Sequence, residues 1–219
     1  MSTGMYVHGL NLNDQEWDRI VWGQPPHTLG RVPRAVHFLM TRGQDVELML
    51  FGSGGSRRGG FVEGLYTLEY LLRHWSDLRE FDAFKRYSRL HLWLLRRRLK
   101  RIAEPETASK NTFTELEEAL PIFDAAGVSR IVVVSELTHV VRCLAHLGEN
   151  AEARGWLNRF EFAAEASVSL PEFVKASQAV VFEPPADGSG EPGATFKRFF
   201  SVPAAERPAK LEEIRRILS

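Results

Sequence analysis

The sequence predicts an α/β protein built on a parallel sheet covered by helices on both faces, and three stretches predict it. Arg130–Glu136 (RIVVVSE) places four consecutive β-branched residues at Ile131 to Val134, the pattern of a strand buried on both faces. Helical patterns flank it. ELEEALPIFDAAGV ends near Gly127, where glycine suits a helix terminus, and THVVRCLAHLG runs from about Thr138 to Leu147, closed by Gly148. Helix, buried strand, helix is the unit of a parallel sheet with crossovers. Val46–Phe51 (VELMLF) repeats the rhythm, running through GSGGSRRGG into a helix from about Val62 to His74.

The other elements follow in order. Asp18–Trp22 (DRIVW) reads as the first, short strand, and Gly23–Gly30 as a loop holding Pro25 and Pro26. Arg31–Thr41 reads as a helix with Val32, Ala35, Val36 and Leu39 on one face. Pro33 falls in its first turn, where the missing N–H costs nothing. Asp82–Arg101 reads as one helix with Phe84, Tyr87, Leu90, Leu92, Trp93, Leu94, Leu95 and Leu99 as its apolar set. Arg96, Arg97, Arg98, Lys100 and Arg101 would complement its C-terminal dipole, or make it a lid or phosphate-facing helix. Beyond Ala151 the pattern weakens. Phe160–Ala166 suits strand or helix, Ala179–Phe182 a short strand, Glu183–Gly193 a surface loop, and Arg207–Leu218 a terminal helix. With no internal repeat and no linker, residues 1–219 read as a single domain with a helical insertion at about 76–103.

Composition narrows the function. The 28 Lys plus Arg equal the 28 Asp plus Glu, so no global basic field points to nucleic acid. Cys143 is the only cysteine, which excludes an internal disulfide and a Cys-cluster zinc site. No HExxH, DxDxDG or paired Cys occurs, so no metal site is expected. The N-terminus lacks the basic start and apolar run of a signal peptide, and no stretch approaches ~18 uncharged apolar residues. A cytoplasmic protein with a small-molecule ligand, and neither nucleic acid nor membrane as partner, is the expectation.

Four segments carry candidate chemistry, each beside a plain structural reading. Gly52-Ser53-Gly54-Gly55-Ser56-Arg57-Arg58 sits where a strand hands over to a helix. Its glycines allow close backbone approach to an anion, or simply a flexible turn. It matches neither GxGxxG nor the P-loop. In Glu106-Thr107-Ala108-Ser109-Lys110-Asn111-Thr112, Thr112 with Glu115 fits a capping box, while Glu106, Ser109 and Asn111 are free for a ligand. Ser135-Glu136-Leu137-Thr138-His139 leads to Arg142, which shares a helix face with His139. There an imidazole can move protons, an Arg can clamp an anion and Glu136 can serve as the companion carboxylate. Trp22-Gly23-Gln24 to Arg31 follows the first strand, so Gly23, Gln24, His27 and Arg31 can reach the same edge. Cys143 reads as core.

Taken in order, these segments resemble the YdcF-like family, which includes SanA and ElyC. The resemblance rests on Ile20–Gln24 (IVWGQ) with Arg31, Ser53-Gly54-Gly55 with Glu63, Glu106 to Thr112, and Val132–Ser135 with His139 and Arg142. It implies a three-layer Rossmann-like sheet with a polar pocket lined by those loops. It also implies nucleotide-like ligands, S-adenosylmethionine among them. On this reading His139, Glu106 and Glu136 are the catalytic candidates. The binding candidates are Gly23, Gln24, Arg31, Gly52, Ser53, Gly54, Gly55, Glu63, Ser109, Asn111, Thr112, Ser135, Thr138 and Arg142. The segment between Glu63 and Glu106 is longer than the family pattern. A small-molecule enzyme, a non-catalytic binding module, and a scaffold using the 82–101 helix are the competing classes.

Overall fold

Alternation along the central strands decides the layers. In Thr3–Val7 (β1), Met5 and Val7 join one buried cluster while Tyr6 joins the other. The computed structural model describes residues 2–167; the readings for 179–182, 183–193 and 207–218 lie outside the described residues. After β1 come a π-helical turn at Asp18–Trp22, a two-stranded ribbon of β2 (Gly23–Gln24) and β3 (Thr28–Leu29), α1 (Arg31–Thr41) and β4 (Val46–Phe51). A second ribbon, β5 (Arg57–Arg58) with β6 (Phe61–Val62), leads into α2 (Glu63–Arg73). A 3-10 turn at Trp75–Glu80, α3 (Asp82–Lys85) and α4 (Arg89–Ile102) then precede β7 (Ala103–Pro105). The described chain closes with α5 (Thr112–Ala125), β8 (Arg130–Glu136), α6 (Leu137–Ala153) and β9 (Glu161–Ser167).

The sheet is β7-β4-β1-β8-β9, with every pair parallel. It is the three-layer Rossmann-like arrangement. Met49, Phe51, Val132 and Val134 pack with side chains of α1, α2 and α4 on one face. Leu48, Leu50, Ile131 and Val133 pack with α5 and α6 on the other. The chain works outward from β1 through β4 to β7, then returns to the opposite side of β1 with β8. The topological switch point therefore lies between β1 and β8, where open sheets of this kind take ligands beyond the carboxyl ends of the strands.

Several local expectations change. The first strand is Thr3–Val7 rather than Asp18–Trp22. Gly4 weakens the strand signal of TGMYV, yet the fold needs it: a Cβ there would strike the Phe123 ring. Asp18–Trp22 buries Val21 and Trp22 from a π-helical turn instead. The 82–101 helix breaks at Arg86–Ser88, and the Ser88 hydroxyl caps α4 by accepting from the His91 N–H. Its apolar set splits in consequence. Leu92, Leu95 and Leu99 are buried, while Leu90, Trp93 and Leu94 are exposed. Arg96 and Arg98 are spent on structure: Arg96 donates to Leu72 O, and Arg98 to the carbonyls of Gly43, Gln44 and Val46. Gly148 lies inside α6, which continues to Ala153. Glu161–Ser167 is a strand. Among the described residues no helix is long and apolar enough to cross a membrane.

Candidate functional site

Backbone bonds that continue past the strand ends bring four segments to one edge. His8 N donates to Val134 O (3.0 Å), Gly52 N to Val7 O (3.1 Å) and Glu106 N to Phe51 O (2.8 Å). The residues just beyond β1, β4 and β7 are thereby held in register beside the end of β8. Most side chains there are buried: His8, Arg31, Ser53, Glu63, Glu106, Ser109, Glu115 and Ser135 are each at most 4 % exposed. That is a concentration of polar groups that packing a parallel sheet does not require.

His8 and Glu115 form the centre. Glu115 is released to reach His8 because the cap of α5 is not the expected Thr112–Glu115 box. Asn111 is the N-cap, its Oδ1 accepts from Thr114 N, and the Thr114 hydroxyl accepts from Asn111 N. The Glu115 carboxylate instead pairs with His8 Nδ1. Burial alone would lower the His8 pKa, but Cys143 and Glu115 outweigh it and carry it up to about 9. Burial would raise that of Glu115, but the His8 charge and hydrogen bond hold it below the usual carboxylate value. The two shifts describe one ion pair. His8 Nε2 is buried without a hydrogen-bond partner.

Arg31 spans the switch point. It is 2 % exposed and donates to the carbonyls of His8 and Gly9 and, at 3.0 Å, to Glu136 Oε2. Gly9 is obligatory, since a Cβ would fall on the Glu63 carboxylate and within 2.5 Å of Gly52 O. Glu63 opens α2 and accepts from the hydroxyls of Ser53 and Ser56. Burial raises its pKa above the ordinary carboxylate value.

The Gly52–Gly55 loop and the 106–112 loop pack on each other. Gly54 N donates to Ser109 O at 3.0 Å, and a Cβ at Gly54 would strike the Thr107 carbonyl. These glycines thus serve a close approach of backbone to backbone. Glu106 organises the second loop. Its carboxylate accepts from Tyr6 OH, Ala108 N, Ser109 N and Ser109 Oγ. Those four bonds use the acceptor capacity of a carboxylate, so Glu106 is placed to hold the loop rather than to exchange protons.

His139 faces His8 across the switch point, with ring centroids 5.7 Å apart. Its Nδ1 lies 2.8 Å from Ser135 Oγ and 3.4 Å from Cys143 Sγ, and its Nε2 lies 3.3 Å from Thr112 Oγ1. Burial first, then the charges of His8, Arg31 and Arg142, push its pKa down to about 2. His139 is therefore neutral near pH 7 and has no proton to release as an imidazolium.

The structure thus brings Arg31, Gly52, Ser53, Gly54, Gly55, Glu63, Glu106, Ser109, Thr112, Ser135, Glu136 and His139 to one region of the carboxyl edge. Arg142 lies one turn beyond His139. Thr138 lies in the first turn of α6, its side chain outside the described residues. Asn111 is spent on the α5 cap. Gly23 and Gln24 belong to the β2–β3 ribbon. Their loop is fastened elsewhere, by Asp82 N donating to Pro26 O and by the His27–Asp82 pair. Sequence reading missed His8 and took Glu115 for a cap. The signal available was the His-Gly that ends a short N-terminal run. No family model, curated protein or solved structure matches the chain.

Proposed function

We propose that the chain is a small-molecule enzyme of the YdcF-like kind that acts on an anionic or nucleotide-like substrate in metabolite or natural-product processing. The observation that carries this is the burial of His8, Arg31, Glu63, Glu115 and Glu106 at the switch point. Buried charges are costly unless paired, and this edge of an open sheet is where such folds take ligands. Proton transfer falls best to the His8–Glu115 pair, with Glu136 and Arg31 beside it, because His139 is neutral. S-adenosylmethionine is the candidate cofactor. Arg142 would hold its carboxylate, and Glu136 its ammonium group. When bound it supplies an electrophilic methyl group. A small-molecule partner fits the balanced charge of the chain, and a cytoplasmic location accords with its single cysteine.

A non-catalytic binding module is the second reading. It is favoured by Glu106, whose acceptor capacity is used up, and by the neutrality of His139. Calorimetric titration with a panel of nucleotides and S-adenosylmethionine, followed by mass spectrometry of the products, separates the two. Binding with turnover supports the enzyme, binding without turnover supports the module, and no heat from any compound overturns both.

A further inference from the structure

We propose that the outer face of α4 docks on the surface of an anionic lipid bilayer. The inference does not rest on the carboxyl-edge cluster. Helical spacing sorts Arg89–Ile102 into two opposite faces. The inner face is buried through Leu92, Leu95 and Leu99, and Trp75 Nε1 donates to Leu92 O at 3.1 Å. On the outer face Leu90, Trp93 and Leu94 are 63 %, 50 % and 51 % exposed. Spacings of three and four put them side by side, and Arg97, Lys100 and Arg101, all exposed, continue the same face. The Arg97 guanidinium lies 5.0 Å from the centre of the Trp93 ring. No Asp or Glu occurs in α4. Among the described residues, the ion pairs made by Arg and Lys involve none of these three cations.

Chemistry and shape together select the occupant. Large apolar side chains beside cations match the boundary of an acidic bilayer, where leucines reach acyl chains, Trp sits at the headgroups and Lys or Arg meets their phosphates. A second copy of this face would set cations against cations. A nucleic-acid backbone takes the cations but leaves the leucines in water. A partner that wraps a helix in a groove needs more of its circumference than α4 offers, because the inner face is held in the core and Arg96 and Arg98 are bonded to backbone carbonyls. A bilayer takes one side of a helix and leaves the other in the protein. The expectation of no membrane partner was drawn from the lack of a spanning stretch, and lying on a bilayer needs none.

Vesicle flotation tests this on the full chain. Vesicles of equal parts phosphatidylserine and phosphatidylcholine bind the protein, vesicles of phosphatidylcholine alone bind it far more weakly, and added salt weakens the binding. The variant R97Q/K100Q/R101Q removes the charge. It binds the anionic vesicles about 100-fold more weakly, at about fivefold for each cation near such a surface. The variant L90S/W93S/L94S keeps the charge and removes the apolar contact, and binds at least about 10-fold more weakly. All six side chains are exposed, and circular dichroism checks that each variant folds; if one does not, the other decides. Equal binding to neutral and anionic vesicles overturns the proposal. So does no binding to either, and so does unchanged binding by either folded variant. Poly-glutamate and duplex DNA are titrated alongside. Binding to one of them, with no flotation, assigns the face to an acidic macromolecule and overturns the bilayer.

Discussion

Replacing Glu115 with Gln isolates the charge that holds His8. The amide still accepts from Nδ1–H, so shape and hydrogen bond survive and the ion pair does not. The His8 pKa stands at about 9 against an ordinary 6.5. At about 1.4 kcal/mol for each pH unit, that difference is worth about 3 kcal/mol, to which both Cys143 and Glu115 contribute. Removing one partner of a buried pair costs roughly 3–5 kcal/mol, and the E115Q loss is set at the low end of that range. The sign follows from the direction of each shift. Because the folded pKa of His8 is raised, its contribution is complete below 6.5 and disappears as pH rises through about 9. Because that of Glu115 is lowered, its contribution is present above 4.5 and disappears as pH falls through its folded value. The pair therefore stabilises most between 4.5 and 6.5. Urea unfolding of wild type and E115Q at about pH 6 shows a gap of about 3 kcal/mol, equivalent to about 6–12 °C in Tm for a chain of this size. At about pH 9.5 the gap shrinks to a minor part of that. A gap of the same size at both pH values would refute an ion pair and leave only a packing contact.

Four further outcomes follow from the same edge. Gly9→Ala drives a methyl group into Glu63 and the Gly52 carbonyl. It destabilises by about 1–3 kcal/mol or more, as overpacking does, measured by chemical denaturation. Glu106→Ala strips the acceptor from Tyr6 OH, Ala108 N and the Ser109 donors. At about 1–3 kcal/mol for each buried donor left unpaired, the loss is at least about 3 kcal/mol, and protease cleavage within 106–112 accelerates. Nitrogen-15 NMR of the imidazoles finds His139 neutral throughout the range from about pH 4 to 8, while His8 stays doubly protonated up to about pH 8. Cys143→Ala lowers the His8 titration point, because the thiol contributes to raising it.

How much of this was legible varies by element. Arg31–Thr41, Val46–Phe51 and Arg130–Glu136 read from the sequence with the bounds the structure has, because each carries its own apolar pattern, a helical stripe or a continuous buried run, over six residues or more. The central strand did not. Five residues that include Gly4 hold too little strand propensity, and the reason for the glycine, the Phe123 ring, lies far along the chain. Asp18–Trp22 misled for the converse reason: an apolar run reports burial, not the backbone that achieves it. At the site, Glu63, Glu106, Ser135 and His139 were legible as polar residues beside strand ends. Glu115 was not, since a Glu three residues after a Thr at a helix start has a local explanation.

From its residues alone the chain declares alternating strands and helices and the loops that end them, because hydrophobic period and turn chemistry are local properties. Tertiary structure alone decides that β1 lies at the centre of the sheet, that His8 meets a glutamate 107 positions away, and that His139 is uncharged. Each of those depends on which groups burial brings within a few ångströms of one another. Charge and desolvation act through space, and spacing along the sequence does not measure it.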